Sequence, residues 1–365
     1  MKPFEKKIRV GILGATGMVG QRFVTLLENH PWFTVTVLAA SERSAGKSYK
    51  KALEGRWSLA HPIPPGFQEY TVLEVEKDMD RIVREVDCVF SALAMEKKKV
   101  MELENRYAER NIPVVSCNSA HRWTEDVPML IPEINPHHLE LIEIQRKNRG
   151  WKRGCIAVKP NCSIQSFLPV LEPLRKFGLE KVIVSTYQAI SGAGKTFDTW
   201  PEMEDNVIPF IPGEEEKTEK EPFKIWAELK NGKLIFPEKP VISSTCIRIP
   251  VTDGHMASVS VQFTQKPTRG QIVEAIQNFQ NPLKSLELPS SPKKFVTYFE
   301  AEDRPQTALD RNLENGMAIA VGRLREDPVL DWKFVALSHN TIRGAAGGAL
   351  LIAELMVAKG YIGQQ

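Results

Sequence analysis

The sequence predicts an α/β protein: a doubly wound parallel sheet, followed by an α+β part on a mostly antiparallel sheet. Three observations predict it. In the first half, short β-branched apolar runs alternate with stretches of helical apolar spacing, as in parallel strands joined by crossover helices. A glycine-rich turn sits at the first strand–helix joint. From Lys181 onward the texture shifts to long alternating strands, which suit an antiparallel sheet with helices on one face.

The 365 residues, 42% of them hydrophobic, are enough for two cores. A net charge of +3, with no basic and aromatic stretch, argues against nucleic acid as the main partner. Five widely spaced cysteines form neither a disulfide framework nor a zinc pattern. The polar start, Met1 to Val10, runs straight into a strand, and no apolar run approaches ~18 residues. The expectation is a cytoplasmic protein with no metal and no membrane span.

Ile8 to Leu13 is the first strand. Gly14-Ala15-Thr16-Gly17-Met18-Val19-Gly20 is the turn, Gln21 to Asn29 the helix, and Thr34 to Ala40 the second strand. The glycines let backbone approach a pyrophosphate, which the helix N-terminus then binds. Gly14, Thr16, Gly17, Met18, Val19 and Gly20 are therefore candidate cofactor residues. At the end of the second strand an NAD site usually carries a carboxylate. Here Arg43, flanked by Ser41 and Ser44, suits a 2′-phosphate and hence NADP. Glu42 in the same loop would serve NAD instead.

Val86 to Leu93 and Pro113 to Cys117 are further strands, with an amphipathic helix from Glu96 to Arg110 between them. The second runs out into Asn118 to Arg122, where ligands gather in such sheets. Arg122 is a candidate anion binder; His121 reads as structural. Cys155 to Val158 leads into Pro160-Asn161-Cys162-Ser163, followed by helical spacing to Phe177 that Pro169 and Pro173 shorten or kink. A cysteine at such a junction faces the positive end of a helix dipole, which favours the thiolate. A lone cysteine is more often simply buried, so the rest of the chain must decide.

In the second half, Lys181 to Ile190, Ile242 to Val251 and Met256 to Phe263 are strands, and Gly270 to Phe279 is a helix. Ser191-Gly192-Ala193-Gly194 is a small-residue turn that lets backbone lie against a ligand. Glu214 and Lys217 share one helix face, offering a carboxylate and an ammonium to a zwitterion. His255 follows a glycine turn and is placed for acid/base work. Asn340 to Gly348 opens a helix to about Lys359, which Asn340 or Thr341 would cap.

Taken together, these segments resemble the aspartate-β-semialdehyde dehydrogenase family, in its archaeal and fungal branch. The resemblance spans nearly the whole chain and rests on the order and spacing of the motifs. It implies a Rossmann-type domain, residues 1–159 and 341–365, and a catalytic and dimerisation domain, residues 160–340. The reaction implied is NADPH-dependent reductive dephosphorylation of L-aspartyl-4-phosphate to L-aspartate 4-semialdehyde. It feeds lysine, methionine, threonine and isoleucine synthesis. Cys162 matches the nucleophile and His255 the acid/base. Asn161 and Gln188 match residues that orient the acyl group, Arg248 the carboxylate clamp, and Glu214 the partner of the amino group. Arg122, Asn118 and Lys217 match the phosphate pocket. Ser191, Gly192, Asn340 and Thr341 join the glycine turn on the cofactor side. A homodimer or homotetramer is expected.

A malonyl- or succinyl-CoA reductase is an alternative with the same thiol chemistry, but Asn161, Glu214 and Lys217 argue against it. A non-catalytic NADP-binding sensor would leave Cys162 and His255 without a purpose. An N-acetylglutamyl-phosphate reductase shares the chemistry, yet the Glu214–Lys217 pair argues for a free amino group.

Overall fold

The computed structural model describes residues 6–363, so the first half of the polar stretch Met1–Val10 lies outside the described residues. Six strands form the first sheet: β1 (Ile8–Leu13), β2 (Phe33–Ala40), β3 (Leu73–Glu74), β4 (Cys88–Ser91), β5 (Pro113–Ser116) and β6 (Cys155–Val158). Their order is 3-2-1-4-5-6 and every pairing is parallel. The helices between them are α1 (Met18–Leu27), α2 (Tyr49–Ala52), α3 (Met79–Glu85), α4 (Lys97–Glu109) and α5 (Leu141–Arg149). β1, β4, β5 and β6 are almost wholly buried, as strands covered on both faces must be. The order reverses at β1, so the carboxyl ends of β1 and β4 open the crevice where ligands bind in this architecture.

After β6 come α6 (Ile164–Leu171), β7 (Leu179–Gln188), α7 (Glu214–Ile225), and a small hairpin of β8 (Glu228–Lys230) and β9 (Lys233–Ile235). β10 (Val241–Arg248), β11 (His255–Phe263), α8 (Arg269–Gln277), β12 (Val296–Tyr298), α9 (Thr307–Asp310), β13 (Ile319–Glu326), β14 (Trp332–Ser338) and α10 (Gly347–Ala358) complete the chain. The second sheet runs β10-β7-β11-β14-β13-β12. Its three central pairings are antiparallel and its two outer pairings parallel. The sheet is thus mostly antiparallel, as expected, with mixed edges.

Two cores result. One lies on the face of the first sheet covered by α1 and α10, uniting Val10, Phe23, Phe33, Phe90, Leu351 and Met356. The other starts on the opposite face, under α3 and α4, and runs through α6 into the second sheet. α10 is buried along nearly its whole length. The last helix of the chain therefore completes the packing of the first sheet. The helix after Cys162 is short, as its prolines predict: α6 stops at Leu171 and a 3-10 turn, Glu172–Phe177, carries on.

One expected element is rebuilt. The segment from Asn340 does not open directly as an α-helix; Ile342–Ala346 is a wide π-type turn with Ala345 at φ −144°, ψ −106°. Neither Asn340 nor Thr341 caps a helix there. Asn340 instead bonds Gly254 and Ser191, and the Thr341 hydroxyl donates to Asp253. Wide turns of this kind are frequent at functional sites.

Candidate active site

The glycine turn fits a dinucleotide. Gly14 has φ +88°, and a Cβ on Gly20 would sit 2.2 Å from the Gly14 carbonyl oxygen. Only glycine lets the first turn of α1 fold that tightly over the strand end. Beneath it the buried Tyr49 hydroxyl donates to the Ala15 carbonyl at 2.8 Å. The loop after β2 places Ser41 and Arg43 at the surface and buries Ser44, whose oxygen accepts from Arg56. Glu42 is ion-paired with Lys77 at 2.9 Å. Both side chains of that pair are well exposed.

Cys162 sits in the turn between β6 and α6, and its Sγ lies 3.5 Å from His255 Nε2 at the start of β11. The Ala189 N–H donates to His255 Nδ1 at 3.1 Å. A neutral imidazole that accepts at Nδ1 carries its proton on Nε2. Burial, and then Arg248, push the His255 pKa down to about 3, so the ring is neutral throughout the working range. It therefore presents an N–H to the sulfur.

The expected dipole activation of Cys162 is not what the site delivers. Burial pushes the thiol pKa up, and the Glu214 carboxylate pushes it further. Lys159, Arg122 and Arg248 pull it back only in part. The resting sulfur is a thiol, because desolvation and a nearby anion outweigh one short helix end.

Cys162 stands between two chambers. One, of about 330 Å³, is lined by Gln188, Glu214 and Arg248 with Trp200 and Phe210. The other, of about 270 Å³, is lined by Asn118, Arg122, Lys159 and Lys217, together with Val19, Ser191, Gly192, Asn340 and Thr341. The second chamber thus joins the start of α1 to the cysteine. The π-type turn forms part of its wall: a Cβ on Gly344 would be 2.8 Å from the Cys162 Cβ.

Each charge is held by a neighbour. Arg248 donates to the Ala189 carbonyl at 2.7 Å. Lys217 donates to Glu214 at 2.7 Å, so the pair expected to face a zwitterion is closed on itself here. Burial pushes the Glu214 carboxyl up, but Lys217 and Asn161 outweigh it and hold it below its ordinary value. Asn161 spends its side chain on Glu214, both contacts at 3.0 Å, and on the Ser163 N–H at 2.7 Å. It positions Glu214 and the cysteine turn. Gln188 is 3.4 Å from Glu214. Asn118 lines the chamber while its amide nitrogen reaches back to Ser91 and the buried Glu104. His121 is a buried structural side chain, bonded to Thr124 and the Met101 carbonyl.

Sequence reasoning missed two residues. Glu221 accepts Arg122 at 2.8 Å and the Asn161 N–H at 2.6 Å, tying the anion site to the cysteine turn. Its spacing from Glu214 and Lys217, at i+7 and i+4, placed it on their helix face. Lys159, between the strand Cys155–Val158 and the cysteine motif, carries no pattern in the sequence that singles it out.

A glycine cradle opening onto a buried cysteine–histidine pair and a cluster of cations defines a nucleotide-linked oxidoreductase working on an anionic substrate. The comparisons agree. Residues 9–142 match the family model "Semialdehyde dehydrogenase, NAD binding domain" and residues 171–343 match "Semialdehyde dehydrogenase, dimerisation domain". The chain is 44% identical to an aspartate-semialdehyde dehydrogenase of Archaeoglobus fulgidus, over 97% of this chain and 99% of that one. It is 41% identical to that of Schizosaccharomyces pombe, over 97% and 99%. The Candida albicans aspartate-semialdehyde dehydrogenase, solved with NADP, superposes with a TM-score of 0.86 at 36% identity, covering 98% of this chain and 100% of that one. The chain belongs to the aspartate-semialdehyde dehydrogenase family.

Proposed function

We propose that the chain catalyses reductive dephosphorylation of L-aspartyl-4-phosphate with NADPH, through an acyl-enzyme on Cys162. The observation that carries this is the position of Cys162 between a chamber with amino-acid anchors and a chamber with cations and the nucleotide turn. Arg248 clamps the α-carboxylate and Glu214 meets the amino group, Lys217 giving way. Arg122 and Lys217, with Asn118 beside them, receive the phosphoryl group. The glycine turn, Arg43 and the Ser191, Asn340 and Thr341 cluster hold NADP, which supplies the hydride when bound.

Cys162 attacks the acyl carbon as thiolate, its proton departing with the phosphate as hydrogen phosphate, and the thiolate released at the end of the cycle takes a proton from solvent. His255 Nε2–H stabilises the sulfur anion and then the oxyanion, a donor role that follows from its tautomer. Phosphate leaves and a thioester remains. After reduction, the tetrahedral oxyanion collapses, releasing aldehyde and thiolate. An acyl phosphate is already activated, so these groups are sufficient for the acyl transfer.

A homo-oligomer is supported by the solvent face of β7 and β10, where Ile183 is 49% and Val241 65% exposed. Among the described residues no helix is long and apolar enough to cross a membrane. The test is phosphate-dependent NADP reduction with aspartate semialdehyde. Cys162→Ala should lower turnover by at least about 10³-fold while NADP binding, read by fluorescence titration, persists. Phosphate-independent NADPH oxidation with malonyl-CoA would point to the CoA reductases instead.

A further inference from the structure

The cation chamber holds one charge that the reaction above leaves unused. Lys159 directly follows β6, and its backbone N–H donates to the Ser116 carbonyl at 3.0 Å, extending the β5–β6 pairing. Its side chain reaches the chamber shared by Arg122, Lys217 and Cys162, yet the residue is only 3% exposed. The ammonium donates to the Pro160 carbonyl. It has three donors to place, and among the described residues it has no carboxylate partner.

The other two cations of the chamber are already paired. Arg122 is bonded to Glu221 at 2.8 Å and Lys217 to Glu214 at 2.7 Å. Among the described residues Lys159 is therefore the one cation of the chamber without a carboxylate partner; burial and Arg122 push its ammonium below the ordinary value, and an arriving dianion would hold its proton in place. A buried cation without a counter-ion is costly, and an arriving dianion relieves that cost. Lys159 lines the cation chamber and does not line the chamber of Gln188 and Arg248, so the amino-acid end of a substrate is not its target. Cys162 also feels this charge, which draws the thiol pKa down.

Resting on the reaction proposed above, we infer that Lys159 binds the phosphoryl group directly, as the unpaired cation of the phosphate subsite. In the reverse direction it holds inorganic phosphate. The experiment measures initial rates of NADP reduction with aspartate semialdehyde and inorganic phosphate. Phosphate dependence in the unaltered enzyme tests the reaction itself. Given that dependence, Lys159→Met should raise the phosphate KM by about 10-fold or more. The KM values for semialdehyde and NADP should stay within about 3-fold, and Lys159→Arg should restore most of the phosphate KM. A phosphate KM unchanged in the methionine variant, or a rise confined to NADP or semialdehyde, overturns the assignment. If the methionine variant does not fold, Lys159→Gln keeps a donor for the Pro160 carbonyl without the charge, and the same criteria decide.

Discussion

At the residue scale, the resting sulfur governs the chemistry. Its thiol is raised by burial and by Glu214, so the free enzyme alkylates slowly at neutral pH and faster as pH climbs beyond the ordinary thiol value. Glu214→Gln removes one of the two causes. Iodoacetamide inactivation followed against pH should show its midpoint fall by about one unit. A rise would mean that the carboxylate is not what opposes ionisation. His255, neutral down to about pH 3, should add no limb of its own between pH 5 and 8. For the cofactor, hydrogen bonds to charged groups contribute about 1.5–3 kcal/mol, so Arg43→Asp should move the NADP/NAD ratio of kcat/KM toward NAD by roughly 10–100-fold. Cys162, His255 and Glu214 stood out in the sequence by residue type and position, and Arg248 through the family resemblance; the fold brings all four together. The ionisation state was not legible. It depends on how deeply the sulfur is enclosed and on which anion the fold brings beside it, and neither is written in the neighbours of Cys162.

At the element scale, the π-type turn Ile342–Ala346 holds one wall of the site. Its anchor is Arg343, 1% exposed, bidentate to Glu133 with both contacts at 2.6 Å and bonded to Gln165 at 3.1 Å. The guanidinium also lies 4.8 Å from the centre of the Phe295 ring. Breaking a buried ion pair from one side strands the other charge, so Arg343→Met should cost about 3–5 kcal/mol in urea unfolding. Adding Glu133→Gln should return part of that loss. If the double variant is worse than the sum of the single ones, the pair is not the anchor. The glycines and small residues of this segment announced close packing, and Gly344 against Cys162 is such a packing. The turn itself was read as a capped helix because its residues carry a cap-like Asn-Thr pair. Those side chains are drawn off by Ser191, Gly254 and Asp253, partners far away in sequence. Strands and helices with strong periodicity, by contrast, were placed within a few residues of where they lie.

At the scale of the whole molecule, the second sheet covers one face with α6 and leaves Ile183 and Val241 on the other. The paired register of β7 and β10 puts these two on one surface with Lys181 and Ser243. A charge there should disfavour self-association: Ile183→Lys with Val241→Lys should shift light-scattering mass toward the monomer at micromolar concentration, with near-ultraviolet dichroism unchanged. A mass indifferent to both changes would remove this face as a self-association surface. The overall division into a parallel and a mostly antiparallel sheet was visible in the change of texture at Lys181, since strand alternation reports how many faces are covered. The parallel outer edges of the second sheet were not visible, because edge pairing is decided by long connections rather than by local pattern.

The burial of α10 against the first sheet has a consequence for how the protein comes into being. Translation proceeds at roughly 5–20 residues per second, so the opening strand leaves the ribosome on the order of tens of seconds before the closing helix does. Throughout that interval Phe23, Phe33 and Phe90 lack the apolar cover that Leu351 and Met356 later provide. The nascent amino-terminal half therefore keeps this apolar surface uncovered until Gly347–Ala358 emerges, and a chain cut before Gly347 should aggregate more readily than the full one.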